Sequence, residues 1–220
     1  QLQFALSTPG LVASSTYGIH IGARGNEVGW SNVGPTTLDQ FQRLRDNDQI
    51  FFLLGTSAFV NRNAFIKVGG FQDKFGLGED IDLWTRLAEV GLVLTIPERL
   101  VRFRVLRTGA SSSRFMLMML NIERIRLNIS RRRSGMSEFT FDEFLEYYRC
   151  LPWTVRFRNW RRWRSQYFYR IAGGELANGS IAGIPWLALS LIIAPSVPLT
   201  RFRNQNVLAI GIRKMKSVLA

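Results

Sequence analysis

The stretch Gly78-Glu79-Asp80-Ile81-Asp82-Leu83-Trp84 opens the most clearly patterned helix of this sequence. Apolar residues recur at helical spacing from there to Val90, and Gly91 is well placed to end the helix. The apolar face carries Ile81, Trp84 and Ala88. We therefore predict a helix over residues 81–90 that packs one face into a core and has acidic residues at its first turn.

The segments on both sides of this helix alternate between strand and helix patterns. Leu11–Tyr17 is predicted as a strand leading into a hairpin that turns through Arg24-Gly25-Asn26. Ile50–Leu54 is a continuous apolar run, which is typical of a buried central strand. The other predicted elements are a short helix over 63–68 and strands over 92–96 and 100–105. This alternation indicates an α/β layer through about residue 108.

The second half of the chain differs from the first in charge. The net charge of the 220 residues is +13, of which residues 1–100 contribute −2 and residues 101–220 contribute +15. Such asymmetry indicates a polyanionic partner, which charge alone leaves open between nucleic acid, an anionic lipid surface and phosphate-bearing substrates.

Helical patterns fill this basic half. Helices are predicted over 114–133, from Thr140 with Glu143 as its capping-box partner, and over 153–169. The last of these interleaves tryptophans with arginines, a combination that suits lipid headgroups. Residues 176–200 then carry no charge, but their uninterrupted apolar part, 181–194, is only 14 residues long and contains Pro185. A membrane span needs about 20 residues, so we expect this segment to lie along a membrane interface or to dip into it.

Length and composition restrict the remaining possibilities. A chain of 220 residues that is 46% hydrophobic can bury a core and suits one domain with an appendage, or two small domains. One cysteine, Cys150, and one histidine, His20, exclude an internal disulfide and the common zinc sites. His20 falls on a predicted strand, where a structural role is favoured. The start at Gln1, with no secretory leader, favours a cytoplasmic protein of which this sequence is a piece.

Four ordered blocks carry the chemistry that the sequence suggests. They begin at Gly55-Thr56-Ser57, Val68-Gly69-Gly70-Phe71, Gly78-Glu79-Asp80 and Ile96-Pro97-Glu98, and the last runs on to Val101-Arg102-Phe103-Arg104-Val105. In order and spacing, residues 4–108 resemble the second half of the nucleotide-binding fold of family-2 glycosyltransferases. The resemblance implies an α/β fold of the GT-A type, with the second half of a mixed sheet and its flanking helices over 1–110. A helical, basic and aromatic region that associates with membranes would follow over 111–220.

The same resemblance implies roles for individual residues. Asp80 would be the catalytic base, because an alcohol is a poor nucleophile until a carboxylate takes its proton. Gly55 and Thr56 would end a strand beneath the site, and Glu79 would position the acceptor. The implied substrate-binding residues are Glu79, Gly55, Thr56, Trp84 as a platform for a sugar ring, and Arg104 for diphosphate charge, a role for which Arg107 is the alternative.

These roles have structural alternatives. Asp80 and Asp82 both suit the capping of the helix that follows, and for Asp82 the structural interpretation is retained. Trp84 shares a face with core residues and suits a core position. The family's metal-holding Asp-x-Asp has no counterpart, and Asp46-Asn47-Asp48 is interpreted as a solvated loop. A divalent metal, Mg or Mn, is expected in the intact enzyme, with its ligands outside this chain.

The resemblance implies an inverting glycosyltransferase of cell-envelope or surface polysaccharide biosynthesis. It would move a sugar from a nucleotide-sugar donor to a hydroxyl of a saccharide or lipid-linked acceptor, as a peripheral protein on the cytoplasmic face of an anionic membrane. The present 220 residues alone would be inactive. An alternative is a non-catalytic membrane- or partner-binding module derived from such an enzyme, which the missing Asp-x-Asp favours. Nucleic-acid binding ranks last, because no recognised motif accompanies the arginines.

Overall fold

The computed structural model describes residues 1–22, 25–104, 113–177 and 179–204, and only the backbone of residues 73, 177 and 201–204. The chain has an α/β architecture that divides into two compact units. Unit 1 comprises Gln1–Tyr17, Asn32–Val101 and Leu117–Tyr147. Unit 2 comprises Gly18–Ser31, Arg102–Met116 and the residues from Tyr148 onward.

Four strands form one sheet in the described part of the chain: β1 (Leu11–Ile21), β2 (Glu27–Ser31), β3 (Phe59–Val60) and β4 (Leu92–Arg104). Strand β1 lies between β2 and β3, and β4 also pairs with it. The β1–β2 pair is antiparallel, with Gly18 opposite Ser31 and an irregularity between His20 and Ile21. Gly25, in the predicted hairpin turn, has a φ of +80°, as that prediction requires, whereas Arg24 lies outside the described residues.

The predicted strand over Ile50–Leu54 is wrong. Its residues are as buried as expected at Ile50, Phe51 and Leu53, but no strand forms there. The amide of Phe51 donates to the hydroxyl of Thr85, 3.2 Å away. A side chain thus replaces the neighbouring strand that a ladder would need, and the segment packs as extended, irregular chain.

The two strands predicted over 92–96 and 100–105 are a single strand, β4, that ends at Arg104. Pro97 lies within it and is exposed. Proline removes one ladder hydrogen bond but is tolerated at an exposed strand position, so it did not divide the strand as the sequence suggested. Position 105 lies outside the described residues.

The five predicted helices form with ends shifted by at most two residues, except that the helix predicted over 153–169 continues to Ala177. The helices over residues 2–6, 38–46, 183–193 and 196–204 were not predicted. The α-helices of the described residues are α1 (Leu2–Leu6), α2 (Leu38–Asp46), α3 (Arg62–Lys67), α4 (Glu79–Val90), α5 (Phe115–Arg133), α6 (Phe141–Cys150), α7 (Trp153–Ala177), α8 (Gly183–Ile193) and α9 (Ser196–Asn204). The capping box at the start of α6 forms, since the Thr140 amide and hydroxyl donate to Glu143 at 2.8 and 2.9 Å. Helix α4 ends at Gly91 as predicted, where a Cβ would lie 2.3 Å from Val12.

The core of unit 1 brings α4 and α5 together. Leu83, Leu87 and Val93 are fully buried in one cluster, and Ile81 packs with Ile125 in a second. Helix α5 from Leu117 onward therefore belongs with the residues that precede it, whereas the sequence had divided the chain at residue 110. The physical reason is the isoleucine face of α5, which needs an apolar partner that α4 provides.

In unit 2, α7 and α8 form a closely packed helical pair. Ser165 and Ser190 bond to each other and to each other's carbonyl oxygens at 2.9 Å. His20, on β1, packs edge-on against Phe103 with ring centroids 4.3 Å apart. Burial and, to a smaller extent, the nearby Arg170 charge lower the pKa of His20 to about 4, so the ring is neutral at physiological pH. None of the helices described has the length and apolar character needed to cross a bilayer.

Candidate functional site

The candidate site lies in unit 1, where the loop before α4 becomes the first turn of that helix. Gly78 precedes the helix with a φ of +90°, a conformation that side-chain-bearing residues rarely adopt. The chain therefore enters the helix at Glu79. The first turn carries Glu79, Asp80 and Asp82, in agreement with the preference of helix N-termini for negative charge.

Asp80 is held by its own helix and faces the backbone of Gly55. Its Oδ1 accepts a hydrogen bond of 2.8 Å from the amide of Ile81. A Cβ added at Gly55 would lie 3.7 Å from Asp80 Oδ2, so the missing side chain leaves room directly beside that oxygen. Burial raises the pKa of Asp80, and the neighbouring Glu79 charge raises it further, although the bond from Ile81 opposes this shift. A carboxylate with a raised pKa is a better proton acceptor than an ordinary one.

Glu79 has an oxygen without a partner. Its Oε2 is buried and has no hydrogen-bond partner among the described residues. An unsatisfied buried carboxylate oxygen is unfavourable by about 1–3 kcal/mol or more, and hydroxyl groups are suitable donors to it. The arrangement is chemically able to accept a hydrogen bond from a polyhydroxyl ligand.

Asp82 has a structural role, but it is not the helix-capping role that the sequence suggested, because no side chain caps α4. It is fully buried and pairs with Arg86 at 2.7 Å. The Arg86 guanidinium also donates to the carbonyl oxygens of Val68 and Gly70. These bonds tie the Gly69-Gly70 turn of the second sequence block to α4, which the third block begins.

Sequence reasoning missed the residues of α5 that hold the loop before α4. Asn121 Nδ2 donates to the carbonyl oxygens of Phe75 and Leu77, both at 2.8 Å. Arg124 donates to Lys74 O at 3.1 Å, and its guanidinium carbon lies 4.1 Å from the centre of the Phe75 ring. The sequence did contain a sign of this role, because Asn121 and Arg124 are polar residues on the isoleucine face of α5. Buried polar groups on such a face need specific hydrogen-bond partners.

The other residues predicted to bind substrate, Gly55, Thr56, Trp84 and Arg104, do not share one environment. Gly55 and Thr56 are exposed and form a 3-10 turn, rather than the end of a strand. Trp84 is 3% exposed and lies in the core, the position given as its alternative, so neither ring face is open to a sugar. Arg104 belongs to unit 2, where its guanidinium donates to Gly22 O at 2.7 Å. Its alternative, Arg107, lies outside the described residues.

The described residues do not fit a divalent metal. They contain no cluster of three or more acidic, histidine or cysteine side chains that could hold one. Asp48, from the Asp46-Asn47-Asp48 tripeptide, pairs with Arg133 and accepts a 3.0 Å bond from Ser130. Its carboxylate is therefore engaged in packing α5 against the end of α2.

A groove of about 740 Å³ also opens in unit 1. Neither Asp80 nor Glu79 lines it. Its walls include Tyr17, Asn32, Gln40, Arg43 and Phe52.

Comparison with known proteins identifies no relative of this chain. No family model matches the chain, and no match was found among curated proteins or among solved structures.

Proposed function

We propose that this chain carries the acceptor-activating part of an inverting glycosyltransferase, with Asp80 as the general base. The observation that supports this most directly is the Asp80 carboxylate itself, which has a raised pKa and faces the side-chain-free backbone of Gly55. The sequence resemblance to family-2 glycosyltransferases supplies the reaction class and the GT-A fold type.

The reaction at this site is a single displacement. An acceptor hydroxyl beside Asp80 Oδ2 transfers its proton to that oxygen as its own oxygen forms the bond to the anomeric carbon of the donor. The bond from the anomeric carbon to the nucleoside diphosphate breaks, and the diphosphate leaves with the electron pair. Because the hydroxyl attacks opposite the leaving group, the configuration at the anomeric carbon inverts.

Glu79 has the second role in this proposal. Its unpartnered Oε2 would accept a hydrogen bond from another hydroxyl of the acceptor and orient the acceptor for attack. Trp84 has no role in substrate binding in this proposal, because its ring is buried in the core. The proposed acceptor is a saccharide or a lipid-linked saccharide, and the donor is a nucleotide sugar bound outside these residues.

Replacement of Asp80 by Asn tests the proposal. In the full-length protein, Asp80→Asn should lower the rate of sugar transfer by about 10²–10⁴-fold, because Asn cannot take the proton. The assay measures nucleoside diphosphate released from a panel of nucleotide sugars in the presence of hydroxyl acceptors.

The matched control is Asp39→Asn, which makes the same chemical change on the exposed surface of α2. This variant should keep full activity, and the melting temperature of Asp80→Asn should not fall. Undiminished transfer by Asp80→Asn would remove Asp80 from the role of base. A wild-type protein that turns over no nucleotide sugar would favour the binding-module alternative.

A further inference from the structure

Helix α8 presents a continuous apolar stripe to the outside of unit 2. Ile184, Leu189 and Ile192 are 48%, 40% and 76% exposed, and Ile181 just before the helix is 72% exposed. Pro185 and Ala188 are also exposed and complete the helical spacing. We call these six residues the α8 stripe. A soluble surface rarely carries so many large apolar side chains in one row without a partner.

The opposite face of α8 is fixed against α7, so the stripe cannot turn inward. A Cβ at Gly183 would lie 2.6 Å from Leu176 and 2.8 Å from the carbonyl oxygen of Ala172. Ser190 is fully buried and bonded to Ser165. Small residues therefore allow close helix contact on one side of α8, and the large apolar side chains are left on the other.

The helix that packs against α8, α7, exposes both cations and aromatic rings. The first half of α7 exposes Trp153, Phe157 and Trp160 along one helical row, with ring centroids 6.2 and 5.9 Å apart. Arg161 donates from Nε to the carbonyl oxygen of Ile193 at 2.8 Å, so a positive charge lies next to the end of α8 where Ile192 is exposed. The other exposed arginines of this half-helix are Arg156, Arg158 and Arg162.

We infer that the α8 stripe inserts into the interfacial layer of an anionic lipid bilayer, with α8 lying in the plane of the membrane. An 11-residue helix is roughly 16 Å long, about half of the 30 Å hydrocarbon core, so it lies in the interface and does not span.

Charge complementarity favours lipid as the occupant of the stripe, because arginines interleaved with tryptophans match the negative headgroups and the polar–apolar boundary. The inference is independent of the reaction proposed at Asp80, which lies in the other unit.

Flotation with vesicles tests this inference on the 220-residue chain. Vesicles of phosphatidylcholine and phosphatidylglycerol should carry the wild type upward, and vesicles of phosphatidylcholine alone should carry less. The double variant Ile184→Asp/Ile192→Asp should bind the anionic vesicles at least about tenfold more weakly, because two of the largest inserted side chains become charged. Its circular dichroism should be unchanged, since both side chains are exposed.

A double variant in unit 1 controls for the added charge. Leu38 and Ile66 are 58% and 56% exposed, so Leu38→Asp/Ile66→Asp makes the same change on comparable surface residues and should float like the wild type. Three results would overturn the inference. They are a wild type that stays at the bottom of the gradient, equal flotation of the stripe variant, and a wild-type dimer in solution that the stripe variant converts to monomer.

Discussion

At the scale of single residues, the two adjacent acids at the start of α4 are held in different ways. Asp80 has one oxygen tied to the Ile81 amide, whereas Glu79 has a buried oxygen with no partner among the described residues. The charge of Glu79 is one of the causes that raise the pKa of Asp80. Removal of the Glu79 charge should therefore be visible in the titration of Asp80.

Glu79→Gln should shift the acidic limb of the pH–rate profile to lower pH. The variant removes a negative charge beside Asp80, so the pKa of Asp80 falls and its deprotonated form persists in more acidic solution. The measurement is kcat/KM for transfer as a function of pH in the full-length protein. Glu98→Gln, the same change at an exposed position of β4, should leave the limb in place. A limb that stays unchanged or moves upward in Glu79→Gln would contradict the coupling.

At the scale of elements, the loop over residues 73–78 depends on α5 for its position. Asn121 supplies one amide group to two loop carbonyl oxygens, and Arg124 supplies a third bond. The loop leads directly into Glu79 and Asp80. The geometry of the candidate site is therefore set in part by a helix that begins at Phe115, well beyond the sequence blocks that suggested the site.

Asn121→Ala should loosen this loop. The loss of both bonds should lower the free energy of unfolding by about 1–3 kcal/mol, because two carbonyl oxygens lose their partner in a buried place. Hydrogen exchange at the amides of residues 74–78 should accelerate, and sugar transfer should fall.

Asn128→Ala is the matched control, since Asn128 is equally buried on α5 but bonds to Phe139 instead. It should lose stability without faster exchange in the loop. Equal exchange in both variants would show that Asn121 does not position the site.

Alanine substitutions at two glycines of the α7–α8 pair should change the free energy of unfolding in opposite directions. Gly183→Ala should destabilise by about 1–3 kcal/mol, because its Cβ would meet the backbone oxygen of Ala172 at 2.8 Å and force the helices apart. Gly174→Ala, inside α7 with nothing within 4 Å of the added Cβ, should stabilise by about 0.5–1 kcal/mol. Thermal unfolding of both variants is the test. A Gly183→Ala protein as stable as the wild type would argue against the close packing of α8 on α7.

At the scale of the whole molecule, the sequence predicted local features better than long-range ones. The helices α4 to α7 follow from apolar spacing and caps such as Thr140, which act within a few residues. The strand at Ile50–Leu54 failed because strand formation needs a partner that no local pattern reveals.

The two compact units do not follow the charge pattern of the sequence, for a similar reason. Charge separates the two halves near residue 100, but the core assigns most of α5 to the first unit. At the site, the acids were visible in the sequence, whereas the bonds from Asn121 span 44 and 46 positions and were not.

The raised pKa of Asp80 has a consequence for how this protein responds to selection. A carboxyl whose folded pKa is raised weakens folding as pH rises through that range, so ionised Asp80 opposes the folded state at neutral pH. Asn at position 80 and Gln at position 79 would keep the shapes of the two side chains and remove these negative charges. Under selection for folding alone, mutations would drift toward these amides. A lineage that keeps both acids must therefore gain something from them other than stability.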